Sequence, residues 1–247
     1  MPYDLDSGNY KLYVFSEQCN GDYKTDYASR FQAVALTVEE AANEQFDLVP
    51  GGRYYFDLSA MGIPGTANGS LPDASLHYVP FTYTGIVDAY TLTSKMATTD
   101  AYAERYKYPH SLFVADFAVT HTVNWNALND ASLIFGKNYA AGGVDYMLRA
   151  PSAGSDSTGS GDSERGTPQS NEWDRMLDKN NGYIKNWSGM SSWGQDTPRT
   201  EESGRAVRGY DLARGWHNRI AATSDSSVGF RPVLEVLNPD TLGSDGL

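Results

Sequence analysis

Short apolar runs, each closed by turn chemistry, constrain the fold of this chain more than any other feature. KLYVF (11–15), RYYFDL (53–58), LHYVPFTYTGIV (76–87) and SLFVADFAV (111–119) are rich in β-branched and aromatic residues, which pack well on a pleated surface. Between and after them stand NGD, VPGG, GIPGTANGSLPD and the AAGG at 140–143, where Gly, Pro and Asn supply turn conformations. A last run, VGFRPVLEVL (228–237), is bounded by polar segments and reads as a buried strand. Two segments read as helices: TVEEAANEQF (37–46), where Thr37 and Glu40 form a capping box, and NEWDRMLDK (171–179). NWNALNDASLIF (124–135) is a third candidate. The pattern predicts an α+β fold of many short strands, few helices and long structured loops.

With 247 residues, the chain has room for a sizeable core in one large domain or two small ones. The expected organisation is a single domain over 1–237, with 238–247 beginning a linker. AGSDSTGSGDSERGTPQS (153–170) is almost wholly Gly, Ser, Thr and charge, so it reads as an exposed polar insertion without a face to bury. A net charge of −12 argues against nucleic acid or an anionic membrane as partner. There is no apolar stretch long enough for a membrane span, and no signal peptide is read after Met1. Cys19 is the one cysteine, which excludes an internal disulfide framework and a cysteine-based zinc site.

Catalytic signals are sparse. His77, His110, His121 and His217 lack the i,i+3 or i,i+4 spacing of a helical metal site, and no nucleophile elbow, phosphate loop or His-Glu-x-x-His is present. His121 alternates within a strand and reads as a hydrogen-bonded structural residue. The acid-rich stretch 155–164 offers oxygen ligands for Ca²⁺ without a spacing that singles out a site, so no cofactor is assigned and the metal question stays open. Trp173, Trp187 and Trp193 read as core or loop anchors.

Several motifs carry a resemblance. Tyr146-Met147-Leu148-Arg149-Ala150-Pro151-Ser152, continued after the polar insertion by Asn171-Glu172-Trp173, is similar to the Arg-Leu-Pro-(Ser/Thr)-Glu-x-Glu-Trp signature of the formylglycine-generating, sulfatase-modifying family. Arg208-Gly209 and Gly229-Phe230-Arg231-Pro232-Val233 resemble that family's closing motifs, and Tyr54-Tyr55-Phe56 through Met61-Gly62 its opening strand and turn. The resemblance implies a C-type-lectin fold of the formylglycine-generating type. Those enzymes rely on a cysteine pair near the chain's end, which is missing here. Residues 171–237, with YIKNWSGMSSWGQDT (183–197), RAVRGYDLARGW and VGFRPVLEVL, more closely resemble the variable proteins of diversity-generating retroelements in gut bacteria and their phages. In those systems an error-prone reverse transcriptase alters adenines in the repeat encoding the end of a lectin-fold domain.

That resemblance makes sense of a disorderly stretch through a codon argument. Ala206, Val207, Gly209, Ala213, Trp216, Val228, Gly229, Phe230, Pro232 and Val233 can all be encoded without adenine and so form a protected frame. The residues between them are reachable from adenine-rich codons. The region 195–227 is therefore expected to be a variable, solvent-exposed binding face. Its candidate ligand-binding residues are Tyr210, Asp211, Leu212, Gly215, Trp216, His217, Asn218, Arg219, Thr223, Ser224, Asp225, Ser226 and Ser227. Leu212 and Ile220 are adenine-reachable as well. Tyr, Ser, Gly and Asn serve paratopes well, giving contact area or adaptable hydrogen bonds at low entropic cost. The expected function is a non-enzymatic recognition domain at a cell surface, outside the cell or on a phage particle, with a macromolecular or glycan ligand on another surface. Two rival readings stand beside it: an unusual formylglycine-type oxidoreductase, and a structural module of a surface or tail protein.

Overall fold

The computed structural model describes residues 8–14, 17–20, 23–27, 32–38 and 48–238. They fall into two compact units, Met1–Gln45 and Phe46–Leu247, rather than the one unit expected over 1–237. In the first, among the described residues, strands β1 (Gly8–Val14) and β4 (Gln32–Val38) pair with each other, as do β2 (Glu17–Asn20) and β3 (Tyr23–Tyr27), both antiparallel. Thr37 and Val38, expected to open a helix, instead end β4; the rest of the predicted 37–46 helix lies outside the described residues, as does 239–247.

The second unit holds two six-stranded sheets. Its strands in chain order are β5 (Arg53–Phe56), β6 (Thr66–Ala67), β7 (Val79–Ala89), β8 (Tyr108–Ala115), β9 (Thr120–His121), β10 (Lys137–Ala141), β11 (Val144–Arg149), β12 (Asp156–Thr158), β13 (Arg165–Thr167), β14 (Ser191–Trp193), β15 (Gly204–Gly209), β16 (Trp216–Ile220), β17 (Val228–Phe230) and β18 (Val233–Val236). The first sheet runs β10-β11-β18-β8-β7-β5 and the second β16-β15-β14-β17-β9-β6, while β12 and β13 form a hairpin. Among the described residues three α-helices accompany them: α1 (Asp100–Tyr106), α2 (Trp125–Asp130) and α3 (Glu172–Lys179). The α+β class, with many short strands and few helices, is the one the sequence predicts. Asn124 and Asn171 cap α2 and α3 by accepting from Ala127 and Asp174 amides, the arrangement that satisfies orphan donors at a helix start. Asp100–Tyr106 is a helix that sequence patterning did not reveal.

The first sheet is buried on both faces at its centre, which explains why its strands read as continuous apolar runs. Phe81, Phe113, Leu148 and Leu234 face the main core with Trp193, Val207, Val228 and Phe230 of the second sheet. On the other face, Val87, Leu112, Val114 and Val233 pack against Trp173, Met176 and Leu177 of α3. Phe56 sits at the centre of edge-to-face ring contacts with Phe81, Phe113 and Tyr146 at 5.2–5.5 Å.

The run 228–237 is not the single strand expected. β17 belongs to the second sheet and β18 to the first, and Arg231-Pro232 carries the chain across. Pro232 has no amide to continue a ladder. The Arg231 guanidinium is fully buried and donates to the carbonyls of Ala115 (2.7 Å) and Asn186 (3.1 Å). Burial without a carboxylate in bonding contact lowers its pKa to about 10.

Residues 153–170 also depart from expectation. The tip, 156–163, and Gln169 are exposed, while Ala153, Gly154, Ser155, Gly166 and Pro168 at the base are buried. The base is held by polar bonds: Ala153 and Gly154 amides donate to Asp196 (2.7 and 3.2 Å), and the Gly166 amide donates to Asp174 (2.7 Å). Replacing 158–163 by a two-residue Asn-Gly turn should leave stability within about 0.6 kcal/mol, because closure entropy depends weakly on length. Gly166→Ala should cost roughly 1–3 kcal/mol by overpacking, since its Cβ would overlap the Ala153 carbonyl and lie 2.7 Å from Arg208 Nη1. Urea unfolding of both variants checks this pair of outcomes.

Beneath α3 lies a buried charge cluster. Arg149 donates to both oxygens of Glu172 (2.6 and 2.7 Å) and to Glu235 (2.7 Å), while His110 Nε2 lies 2.7 Å from Glu172. Burial works against the charge on Glu172, but Arg149 and the hydrogen bonds outweigh it and hold the carboxyl at about 2, against an ordinary 4.5. A carboxyl depressed in the folded state contributes stability above its unfolded pKa and loses it as pH falls. Stability should therefore fall between about pH 4.5 and 2. Glu172→Gln should flatten that limb in acid-unfolding curves, and should cost about 3–5 kcal/mol at neutral pH by stranding a buried charge.

Candidate binding face

The face is built on β15, whose residues Gly204 to Gly209 are all buried. Arg208 fixes it from below. Its guanidinium is fully buried, pairs with Asp174 of α3 at 2.6 Å, donates to the Ala153 carbonyl at 2.8 Å and lies 5.8 Å from the Trp173 ring. Arg205 covers the Trp125 ring at 4.4 Å, a cation–π contact, and the Trp125 indole donates to Gly194 O. The strand is thus locked by groups on its inner side.

After β15 the chain turns through 210–215. The Gly209 amide donates to Gly215 O (2.9 Å), Gly215 to Leu212 O (3.0 Å), and the Trp173 indole to Ala213 O (2.9 Å). Tyr210 has a φ of 86°, a left-handed conformation that is strained for a bulky residue. Its backbone is held there by Tyr210 N to Trp187 O (3.1 Å) and Gly189 N to Tyr210 O (3.0 Å), while its side chain remains 39% exposed.

β16 then runs along the edge of the sheet. The Trp216 indole donates to Gly154 O at 2.9 Å, and Asn218 donates to Glu201 at 3.2 Å. The return to β17 is shaped by Asp225, which accepts from the Ser227 amide (2.7 Å) and hydroxyl (2.6 Å). Those bonds, the hydroxyl's above all, hold the Asp225 carboxyl below its ordinary pKa.

The thirteen candidate residues sort into three groups. Asp211, His217, Arg219, Ser224 and Ser226 are exposed together with Tyr210; among the described residues none of their side chains has a hydrogen-bond or ion-pair partner within 4 Å. Leu212, Trp216, Asn218, Thr223, Asp225 and Ser227 are half-buried, and Trp216, Asn218, Asp225 and Ser227 carry structural bonds. Gly215 is buried, and a Cβ there would lie 2.9 Å from Gly209 O, so it shapes the turn and presents no side chain.

The start of the expected face is also corrected. Gln195 to Pro198 are buried. Gln195 bonds Leu92 N and Ile134 O, and Asp196 accepts from Tyr90 (2.8 Å) and Thr98 (2.7 Å). Burial raises the Asp196 pKa. Arg199, Thr200, Glu202 and Ser203 are exposed, so the open surface within 195–227 lies on either side of β15.

Three neighbours were not among the candidates. Ile220 in β16 is 55% exposed, Ser188 bridges Tyr210, and Asp156 lies on β12 against β16. Ser188 stands in the WSGMSSW motif, but its place beside Tyr210 needs the tertiary structure. Trp173 and Trp193 are fully buried and Trp187 partly so, as anchors should be. His121 bonds Thr122 (2.8 Å) within β9. Among the described residues no group of three or more His, Cys, Asp and Glu is placed to hold a metal ion, and no helix is long and apolar enough to cross a membrane.

The sorting has a measurable consequence. His217→Ala, Ser224→Ala and Ser226→Ala should each change stability by less than about 0.5 kcal/mol. Asp225→Ala should cost about 1 kcal/mol by releasing the turn, and Phe230→Ala roughly 3–5 kcal/mol by opening a cavity. Chemical denaturation of the five variants tests the order.

No family model matches the chain, and no curated protein matches it. Among solved structures it is similar to Treponema denticola variable protein 1, at 12% identity over 63% of this chain and 95% of that one, with a TM-score of 0.28.

Proposed function

We propose that this chain is a non-enzymatic recognition domain: a lectin-type scaffold that presents residues 210–227 as a diversified ligand-binding face. One observation carries the reading. Exposed side chains at 210, 211, 217, 219, 224 and 226 stand on a backbone held by groups that do not involve them. Their identities can change without removing a bond that holds the fold. The frame residues do the opposite. Ala206, Val207, Gly209, Val228, Gly229, Phe230, Pro232 and Val233 are buried, and Trp216 is anchored through its indole; all can be encoded without adenine. At 206, 207, 209 and 228–233 the division made on codons agrees with burial; Gly215 and Gln195 to Thr197 depart from it, and Ala213 and Trp216 are half-buried.

The ligand in this reading is a macromolecule or glycan on another surface, reached from a cell surface or a phage particle. It is held by shape and hydrogen bonds, with no bond made or broken. Binding to a panel of glycans and surface proteins should depend on a few central residues of the face. Combined His217→Ala, Arg219→Ala and Tyr210→Ala substitution should abolish binding and leave the unfolding midpoint close to the parent's. A binder indifferent to this triple variant would place recognition elsewhere and defeat the proposal. At the nucleotide level, the reading requires a nearby reverse transcriptase and a second, near-identical repeat that differs at adenines.

A further inference from the structure

We propose that the free edge of β16 is itself a recognition element, taking up an extended peptide segment with basic side chains as an added strand. This rests on the reading of 210–227 as a binding face and names the ligand class for that face.

The hydrogen-bond phase of the β15–β16 ladder carries the argument. Gly209 N donates to Gly215 O at 2.9 Å and Ala221 N to Ser203 O at 2.8 Å. The register between them is regular, pairing Val207 with His217 and Arg205 with Arg219. In an antiparallel pair, hydrogen-bonded and non-hydrogen-bonded positions alternate. His217 and Arg219 therefore direct their amides and carbonyls toward β15, while Trp216, Asn218 and Ile220 direct theirs away from the sheet. The Ile220 carbonyl is taken by Thr223 N at 2.9 Å. Among the described residues the outward amides of Trp216 and Asn218 meet no acceptor and their carbonyls no donor. They are two residues apart, about 6.6–6.8 Å along the strand, the repeat that an incoming backbone matches.

Natural sheets blunt such edges with Pro, Lys, bulges or a covering loop. The strand WHNRI contains no Pro or Lys and its register shows no bulge. Charge selects the occupant. The positive charge of Arg219 acts on Asp225 through space, without a bonding contact. Left over around the edge are Glu201, bonded to Asn218, the exposed Glu202 beside it, and Asp156 on β12 against β16. A backbone docking on Asn218 thus brings its side chains next to Glu201, in a chain of net charge −12. Main-chain bonds would supply the affinity common to all occupants, and the changeable side chains the selectivity.

The test uses the whole chain and two displayed libraries of extended peptides, one with Lys or Arg at alternate positions and one with Asp or Glu there. Basic peptides should bind and acidic ones should not. In amide exchange resolved by NMR, Trp216 and Asn218 should exchange fast in the free protein and slow on binding. His217 and Arg219 should be protected in both states. Asn218→Pro, which removes an outward amide only, should abolish peptide binding with Arg205 and Val207 still protected, and Asn218→Ala should retain it. If basic peptides bind while the Trp216 and Asn218 amides stay fast, strand addition is overturned and the binding face stands. If no basic peptide binds, it is overturned as well; glycan or surface-protein binding lost in the Tyr210, His217 and Arg219 variant would then leave the broader reading standing. Failure of both experiments would remove both readings.

Discussion

Helix α3 carries two buried carboxylates two residues apart, and each is met by an arginine from a different sheet. Glu172 takes Arg149 of β11 at 2.6 Å, and Asp174 takes Arg208 of β15 at 2.6 Å. The helix is therefore a polar clasp between the sheets, beside Arg231, which donates to Ala115 O of β8 and Ser192 Oγ of β14. Neither carboxylate can be left alone at that depth, since an uncompensated buried charge is far more costly than the pair itself is stabilising. Asp174 also accepts from the Gly166 amide, and Arg208 donates to Ala153 O, so the hairpin base is drawn into the same network. Beside Arg205 on Trp125 and the ladder with β14, the Arg208–Asp174 pair that positions β15 leads back to this eight-residue helix.

The sequence made the class of fold legible because its signals are local. NEWDRMLDK reads as a helix, and SLFVADFAV as a strand, from patterns a few residues long. The N-terminal division was not legible, because β1 to β4 carry the same alternation as strands elsewhere; what separates them is the partner each strand chooses. VGFRPVLEVL reads as one strand because both halves are apolar, yet its halves lie in different sheets. The sign was present in Arg231-Pro232: a residue without an amide beside one that must spend its donors on distant carbonyls. The polar stretch 153–170 misled for the opposite reason. Its Gly, Ser and Thr residues have no face to bury, but their backbone amides do the bonding at the base, and backbone bonding leaves no compositional trace.

For the face, codon content separated frame from exposed positions well at Phe230, Val233, His217 and Ser226, because burial and adenine avoidance agree there. It failed at Gly215 and at 195–198. Glycine counts as an adenine-reachable residue, yet at 215 it is required by the nearness of Gly209 O. Gln195 and Asp196 are polar and look surface-like, but they satisfy buried donors and acceptors from Leu92, Ile134, Tyr90 and Thr98. Polarity in a sequence marks a hydrogen-bonding duty and does not say whether water or protein discharges it.

The open side of β16 also bears on colloidal behaviour. An exposed row of backbone donors and acceptors is the template on which chains stack edge to edge into cross-β aggregates, and apolar strand segments of low charge are the most prone to do so. A strand whose side chains are free to change samples such segments by accident. Two features restrain the outcome here. The strand is five residues long, so any stack offers few bonds per chain. The chain's charge of −12 makes every copy repel the next. A high negative charge, of little use to the fold, thus widens the range of sequences the edge can carry while the protein stays in solution.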